Sequence, residues 1–254
     1  MKNKLIITAI LTLAVVAASG MEAQARERKS SGSYQGRKTK GTFQKKVNRE
    51  KGHVKKETTW QNERGEGKHE AERAWDKKTK SGTYSSNTTT AGGKKFLREG
   101  KVTKTGDGTY TQQGTITGPK GKTSTVDRTS TKNDDGSRTV DTTYTGPEGN
   151  TLNAEKKITY QDGVRNVEGS YSSSTGKSGT FGSKSKIEDG KIITERSLTN
   201  QDGKTWSQEV ELDRDGNTIT RDVTNTNPWG GSQSFNQSIT VEEFEIIPEE
   251  TTTP

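Results

Sequence analysis

The chain has 254 residues and no cysteine. That excludes disulfides, thiol chemistry, cysteine metal sites and attachment through a lipidated cysteine. Histidine is nearly absent too. His53 and His69 are the only two, both in Lys-rich segments and both expected as exposed strand residues. No G-x-S-x-G, H-E-x-x-H or phosphate-loop motif occurs. The sequence therefore points away from an enzyme and implies no cofactor. Apolar residues are scarce at 23%, so a thick conventional core is not expected.

Beyond residue 25 no stretch is apolar enough to cross a bilayer as a helix. Before it, Lys2 and Lys4 precede "LIITAILTLAVVAA", and "AQA" at 23–25 is a small-x-small cleavage site. This reads as a cleaved signal peptide over 1–25. The mature protein is then exported, to the periplasm, the cell surface or the medium, and is of bacterial type. One domain is expected over 26–247, with a disordered tail over 248–254.

Glycine and turn-forming residues supply what is plentiful. "TGPKGKT" (117–123) and "TGPEGNT" (145–151) place Pro119 and Pro147 28 residues apart, and "TNPWGGS" (226–232) places Pro228 a further 81 on. Turn glycines from Gly108 to Gly230 are spaced by 13, 15, 13, 14, 13, 14, 13, 13 and 14 residues. Such even spacing marks a repeat architecture. Pro-x-Gly suits a type I turn with a G1 bulge, and Asp-Gly suits a two-residue type I′ turn or the same bulged form. In the clearest stretch the two kinds alternate, which puts one kind on each edge of a meander.

Apolar residues follow a second spacing, recurring at i and i+6. The pairs are Val54/Trp60, Phe96/Val102, Tyr110/Ile116, Leu152/Ile158, Phe181/Ile187, Ile192/Leu198, Trp206/Leu212 and Phe235/Val241. An even offset keeps both members on one face of a strand. Polar residues such as Lys56, Arg98, Gln112 and Lys156 lie between them. The segment "GKHEAERAWDKK" (67–78) alternates like a strand. The expected fold is all-β: an elongated antiparallel meander of about 16 strands with a hairpin repeat of about 27 residues, forming an open, twisted, largely single-layer sheet. A membrane barrel is disfavoured because faces such as Thr123, Thr125, Asp127 and Thr129 carry no lipid-facing apolar band. In architecture alone, the reading resembles the free-standing sheet of borrelial outer surface proteins, also exported and rich in Lys, Thr and Gly.

Charge is uneven along the chain. Residues 26–100 carry 21 Lys+Arg against 9 Asp+Glu, and residues 101–254 carry 18 against 23. Two functions follow from this. One is an exported, non-enzymatic structural protein, an envelope or matrix scaffold, adhesin or fibre subunit. It would self-associate by its edge strands or by joining its basic start to the acidic end of the next copy. The other is a module that binds a polyanion or envelope surface: lipopolysaccharide, acidic polysaccharide or extracellular DNA. Its candidate contacts are Arg37, Lys38, Lys40, Lys45, Lys46, Arg49, Lys51, Lys55, Lys56, Trp60, Trp75, Lys77 and Lys78. Asp213, Asp215 and Asn217 in "DRDGN" form a weak candidate metal site, lacking the glycine and closing glutamate of a calcium loop. N-terminal sequencing of the exported protein is expected to read Arg26-Glu27-Arg28-Lys29; a chain still starting at Met1 would contradict the cleaved signal.

Overall fold

A computed structural model describes residues 26–36 and 39–248, without the side chains of 26, 243, 244 and 246–248. The signal segment, the tail beyond 248, Arg37 and Lys38 lie outside the described residues. Sixteen strands follow one another: β1 Arg26–Gln35, β2 Lys40–Glu50, β3 His53–Asn62, β4 Gly65–Asp76, β5 Ser81–Thr89, β6 Lys95–Gly106, β7 Thr109–Thr117, β8 Thr123–Lys132, β9 Arg138–Thr145, β10 Thr151–Gln161, β11 Val164–Ser173, β12 Ser178–Glu188, β13 Lys191–Asn200, β14 Thr205–Asp215, β15 Thr218–Thr226 and β16 Ser232–Pro248. The segment 67–78 is a strand through Asp76, as its alternation predicts.

The sheet is not open. β1 pairs with both β2 and β16, which closes the meander into a barrel. The expectation of a free-standing single-layer sheet is thus overturned, and the likeness to the borrelial sheet with it. Low apolar content speaks against a thick packed core, and a barrel this wide needs no continuous core to close.

Turn chemistry sets the two rims. At one rim, Gly118 donates its N–H to Lys122 O at 2.9 Å, Gly121 donates to Gly118 O at 2.9 Å, and Gly121 takes φ 74°. This is the bulged type I turn that Pro119 favours. At the opposite rim, Asp162 and Gly163 have φ 51° and 74°, both positive as a type I′ turn requires. Pro119, Pro147 and Pro228 share the first rim, here the Pro rim. The Asp-Gly turns of Gly108, Gly136, Gly163, Gly190 and Gly216 share the other. The exception is Gln201-Asp202-Gly203, which sits on the Pro rim and makes the same bond pattern as Pro-x-Gly there.

Register gives the barrel its dimensions. Pairs followed once around the wall, from β1 through β2 to β16, return to β1 displaced by about 20 residues toward its C-terminus. With strands about 4.8 Å apart and a rise of about 3.3 Å per residue, the tilt is about 40° and a circular section is about 30 Å across.

Chirality then decides which face is inside. Barrel strands tilt in one hand only. For an upward β1, the direction of the displacement puts β2 on its left as seen from outside. An L-residue whose side chain faces the viewer turns its own N–H to the right of an upward strand. Gly36 and Gly118 donate N–H toward the following strand, to Thr39 O and Lys122 O. Side chains of their parity, such as Tyr34 and Ile116, are therefore viewed with the next strand on the right, which is the view from inside. Partner registers carry this parity consistently through all sixteen strands, with a bulge opposite Ser31/Gly32 absorbing the one slip at the seam.

All eight apolar pairs of the i, i+6 pattern point inward. So do the eight buried hydrophobics: Val47, Val126, Val140, Ile158, Val167, Val210, Val223 and Ile239. Val140 and Val223 are each 1% exposed, and Val140 packs with Ile158, Val167 and Phe181 of the same wall. Burying each such side chain contributes about 1.5–3 kcal/mol. Inward aromatics lie flat across inward glycines: Trp60 over Gly67, Tyr84 over Gly100 and Gly114. A Cβ on Gly67 would meet the Trp60 ring. Gly67→Ala is therefore expected to destabilise the fold by about 1–3 kcal/mol in urea unfolding. The outward Gly182→Ala, whose nearest neighbour would be Ser197 Oγ at 3.3 Å, should be near neutral.

Candidate functional site

Sorting by face separates the charges by sign. Among described strand side chains no Asp or Glu points inward, while every strand arginine does: Arg28, Arg49, Arg73, Arg98, Arg128, Arg138, Arg165, Arg196, Arg214 and Arg221. Every described strand aromatic is inward as well. The outward face is Thr, Ser, Lys, Glu and Asp, with only Ala74, Leu97, Val164 and Ile193 as apolar side chains described there. A lipid-facing band has no counterpart on it.

Ion pairing follows the same division. On the outside, Lys46 meets Glu27 at 2.7 Å, Lys68 meets Glu57 at 2.8 Å, and Lys191 meets Glu211 at 2.6 Å. Among the described residues the one inward cation so paired is Lys104, which reaches turn residue Asp107 at 3.5 Å. No described arginine makes an ion pair. Neutral groups hold them instead. Arg196 Nη1 donates to Gln208 Oε1 at 3.2 Å, and Gln208 Nε2 donates on to Asn225 Oδ1 at 2.8 Å. Arg221 Nη1 donates to Gln237 Oε1 at 2.6 Å, Arg138 Nη1 to Ser130 Oγ at 2.9 Å, and Arg165 Nε to Tyr160 Oη at 3.2 Å. The buried Nε atoms of Arg28 and Arg128 have no hydrogen-bond partner.

The inward cations also crowd one another. The Lys156 pKa is lowered by burial and by Arg128 and Arg165. Lys45 is lowered by burial, Lys56 and Arg49, and Arg221 by burial and Arg196. His69 is inward, not exposed, and hydrogen-bonds Thr88 Oγ1 at 2.8 Å. Burial and then Lys56 lower its pKa. Outward charges shift for other reasons: the Lys46 hydrogen bond lowers Glu27, and the Lys68 bond lowers Glu57. Among the described strand side chains the interior is thus rich in cations and has no acid, and an anion would relieve the repulsion.

The interior is also graded along its axis. At the Pro rim, the inward position nearest the turn is uncharged on every strand. Tyr34, Phe96, Ile116, Tyr144, Leu152 and Trp206 stand there. At the opposite rim the corresponding positions include Arg49, Lys104, Lys132, Arg138, Arg165 and Arg214.

Of the residues the sequence singled out, Lys45, Arg49, Lys56, Trp60 and Trp75 line the interior. Lys40, Lys46 and Lys55 point outward, and Lys51, Lys77 and Lys78 lie in turns. They do not form one patch. The sequence reading missed Arg128, Arg138, Lys156, Arg165, Arg196 and Arg221, because they lie in the half with the acidic balance. Strand parity was the available signal: in that half the arginines share the parity of the aromatics, and the acids take the other. Asp213 and Asp215 are outward on β14, and Asp213 is 3.6 Å from Lys191. No group of three or more potential metal ligands occurs among the described residues. The basic start and acidic end meet within one chain, where β1 pairs β16 and Lys29 lies 3.8 Å from Glu245.

Comparison with protein-family models and with curated protein sequences gives no match to this chain.

Lysines with folded pKa values below the unfolded 10.5 bind fewer protons folded than unfolded. Stability then rises with pH as it approaches that range. Lys156→Met is expected to raise the melting temperature at pH 7 and to flatten this alkaline rise. A lower melting temperature with an unchanged slope would contradict like-charge crowding at Lys156.

Proposed function

We propose that this is an exported, non-enzymatic barrel that binds an anionic ligand on its inner face. The single observation that carries the reading is the separation of charge sign across the wall. Acids balance lysines on the outside, and the inside is left with cations alone. Arginine is the residue suited to bidentate contact with carboxylate, phosphate or sulfate. Its inward placement on ten strands, without any acidic partner, supports a ligand supplying the missing negative charge. The ligand classes expected from the basic start of the chain are kept: lipopolysaccharide, acidic polysaccharide and extracellular DNA. The binding surface proposed for them moves from residues 26–100 to the whole inner wall. A clear bore of roughly 15–20 Å remains after inward side chains are allowed for, which favours a single chain or a small ligand over a nucleic-acid duplex.

The scaffold reading is less well supported. A closed wall offers no free strand edge, and the complementary ends already pair within the molecule.

Tripolyphosphate tests the reading. It is expected to bind by calorimetry, to raise the melting temperature, and to weaken steadily between low and high salt. The inward double variant Arg128→Gln/Lys156→Gln should weaken it at least about tenfold, since a single hydrogen bond to a charged group is typically worth about 1.5–3 kcal/mol. The outward Lys46→Gln/Lys157→Gln should not. Absence of binding at low salt, or equal loss from both pairs, would refute the inner site.

A further inference from the structure

An anion alone accounts for half of the interior. The rest, at the Pro rim, has uncharged inward positions nearest the turns, where large apolar side chains stand uncovered among polar ones such as Asn62, Ser124 and Asn200. Phe96, Tyr144, Leu152, Leu198 and Trp206 all point inward there and remain 37–42% exposed. Trp229, in the β15–β16 turn of the same rim, is 74% exposed. Large apolar side chains gathered in water mark a contact surface. On the wall between β7 and β12, Tyr144 and Leu152 join Ile116 and Tyr171 in lining a groove of about 470 Å³, whose turn-side edge is polar and carries Lys177. Lys156 lies four residues further along β10 than Leu152, about 13 Å at strand rise, and Arg128 faces the same space two strands away. An apolar groove and an unpaired guanidinium thus stand at a fixed separation on one surface.

We infer that the ligand is an anionic amphiphile, its apolar chain in the groove at the Pro rim and its phosphate or sulfate group on Arg128 and Lys156. This rests on the anion-binding reading and narrows it. Polyphosphate or a nucleic-acid strand would lie charged against Ile116, Tyr144 and Leu152, with Lys177 alone among the groove's lining to pair it. A neutral lipid would leave the cations unpaired. Only a molecule with both parts satisfies both halves. Arg128 makes no ion pair, and its Nε has no hydrogen-bond partner. Tyr144 and Leu152 lose their water contact when the chain is seated.

The test uses the mature chain with four probes: dodecyl phosphate below its micellar concentration, dodecyl maltoside, tripolyphosphate and a single-stranded oligonucleotide. Dodecyl phosphate is expected to bind at least about tenfold tighter than each of the others, since several buried methylenes add to the charge contact. Leu152→Asn and Tyr144→Ser, at partly exposed positions, should lose most of that advantage while tripolyphosphate binding stays unchanged. Tripolyphosphate or the oligonucleotide binding as tightly as dodecyl phosphate, with no effect of the groove variants, overturns the amphiphile and leaves the anion site standing. Equal binding of dodecyl maltoside overturns the role of the cations in choosing the ligand. Failure of every probe overturns both readings.

Discussion

The two-residue period of the β-strand, carried unbroken around a closed wall, is the constraint on which everything else depends. Each pair of neighbours shares a face, so parity once set on β1 is inherited by β2 and passed on through β16. Closure requires that it return unchanged. The bulge opposite Ser31/Gly32 is where that condition is met. One residue more or less in the register would exchange the inner and outer sets beyond it. Arginines would then face outward among the lysines, and the Glu57, Glu70 and Glu72 row would face the interior. The chemistry of the inner wall is a property of register as much as of composition.

The barrel has little core in the ordinary sense. Its buried hydrophobics are valines and isoleucines shielded by longer neighbours on the same face, as Val140, Ile158 and Val167 are grouped with Phe181. The backbone ladder carries more of the architecture than side-chain packing does, and closure leaves it with no unpaired edge. Outward threonine pairs, such as Thr117–Thr123 at 3.0 Å and Thr199–Thr205 at 2.8 Å, and outward lysine–carboxylate pairs add small increments of about 0.2–1 kcal/mol each. Hydrogen bonds, ion pairs and ring contacts described for the chain join elements no more than three strands apart, the widest being Trp75 with Tyr110 at 6.2 Å. Opposite walls do not hold one another.

Much of this was legible in the sequence, for local reasons. Turn glycines with positive φ, the strand between consecutive turns and the common face of Tyr110 and Ile116 all depend on residues close together in the chain. The segregation of arginine from acid was legible too, once parity is read strand by strand, though charge totals over long segments conceal it. Closure was not. It depends on Arg26–Gln35 finding a partner more than 200 residues away and on a tilt accumulated over sixteen small register offsets. No local motif encodes either. The candidate site was misplaced for the same reason: the basic segment 26–100 looks like a patch only when the chain is laid out in a line.

Pairing the first strand with the last also makes completeness of the chain a condition of its shape. A nascent molecule lacking β16 has two open edges, β1 and β15, and its arginine-lined face is not yet enclosed. Open edges attract other strands, and slow, long-range pairing lengthens the time they are available. The seam therefore acts as a check on length. Only a chain delivered to its end can withdraw its edges from solution and enclose its own charge.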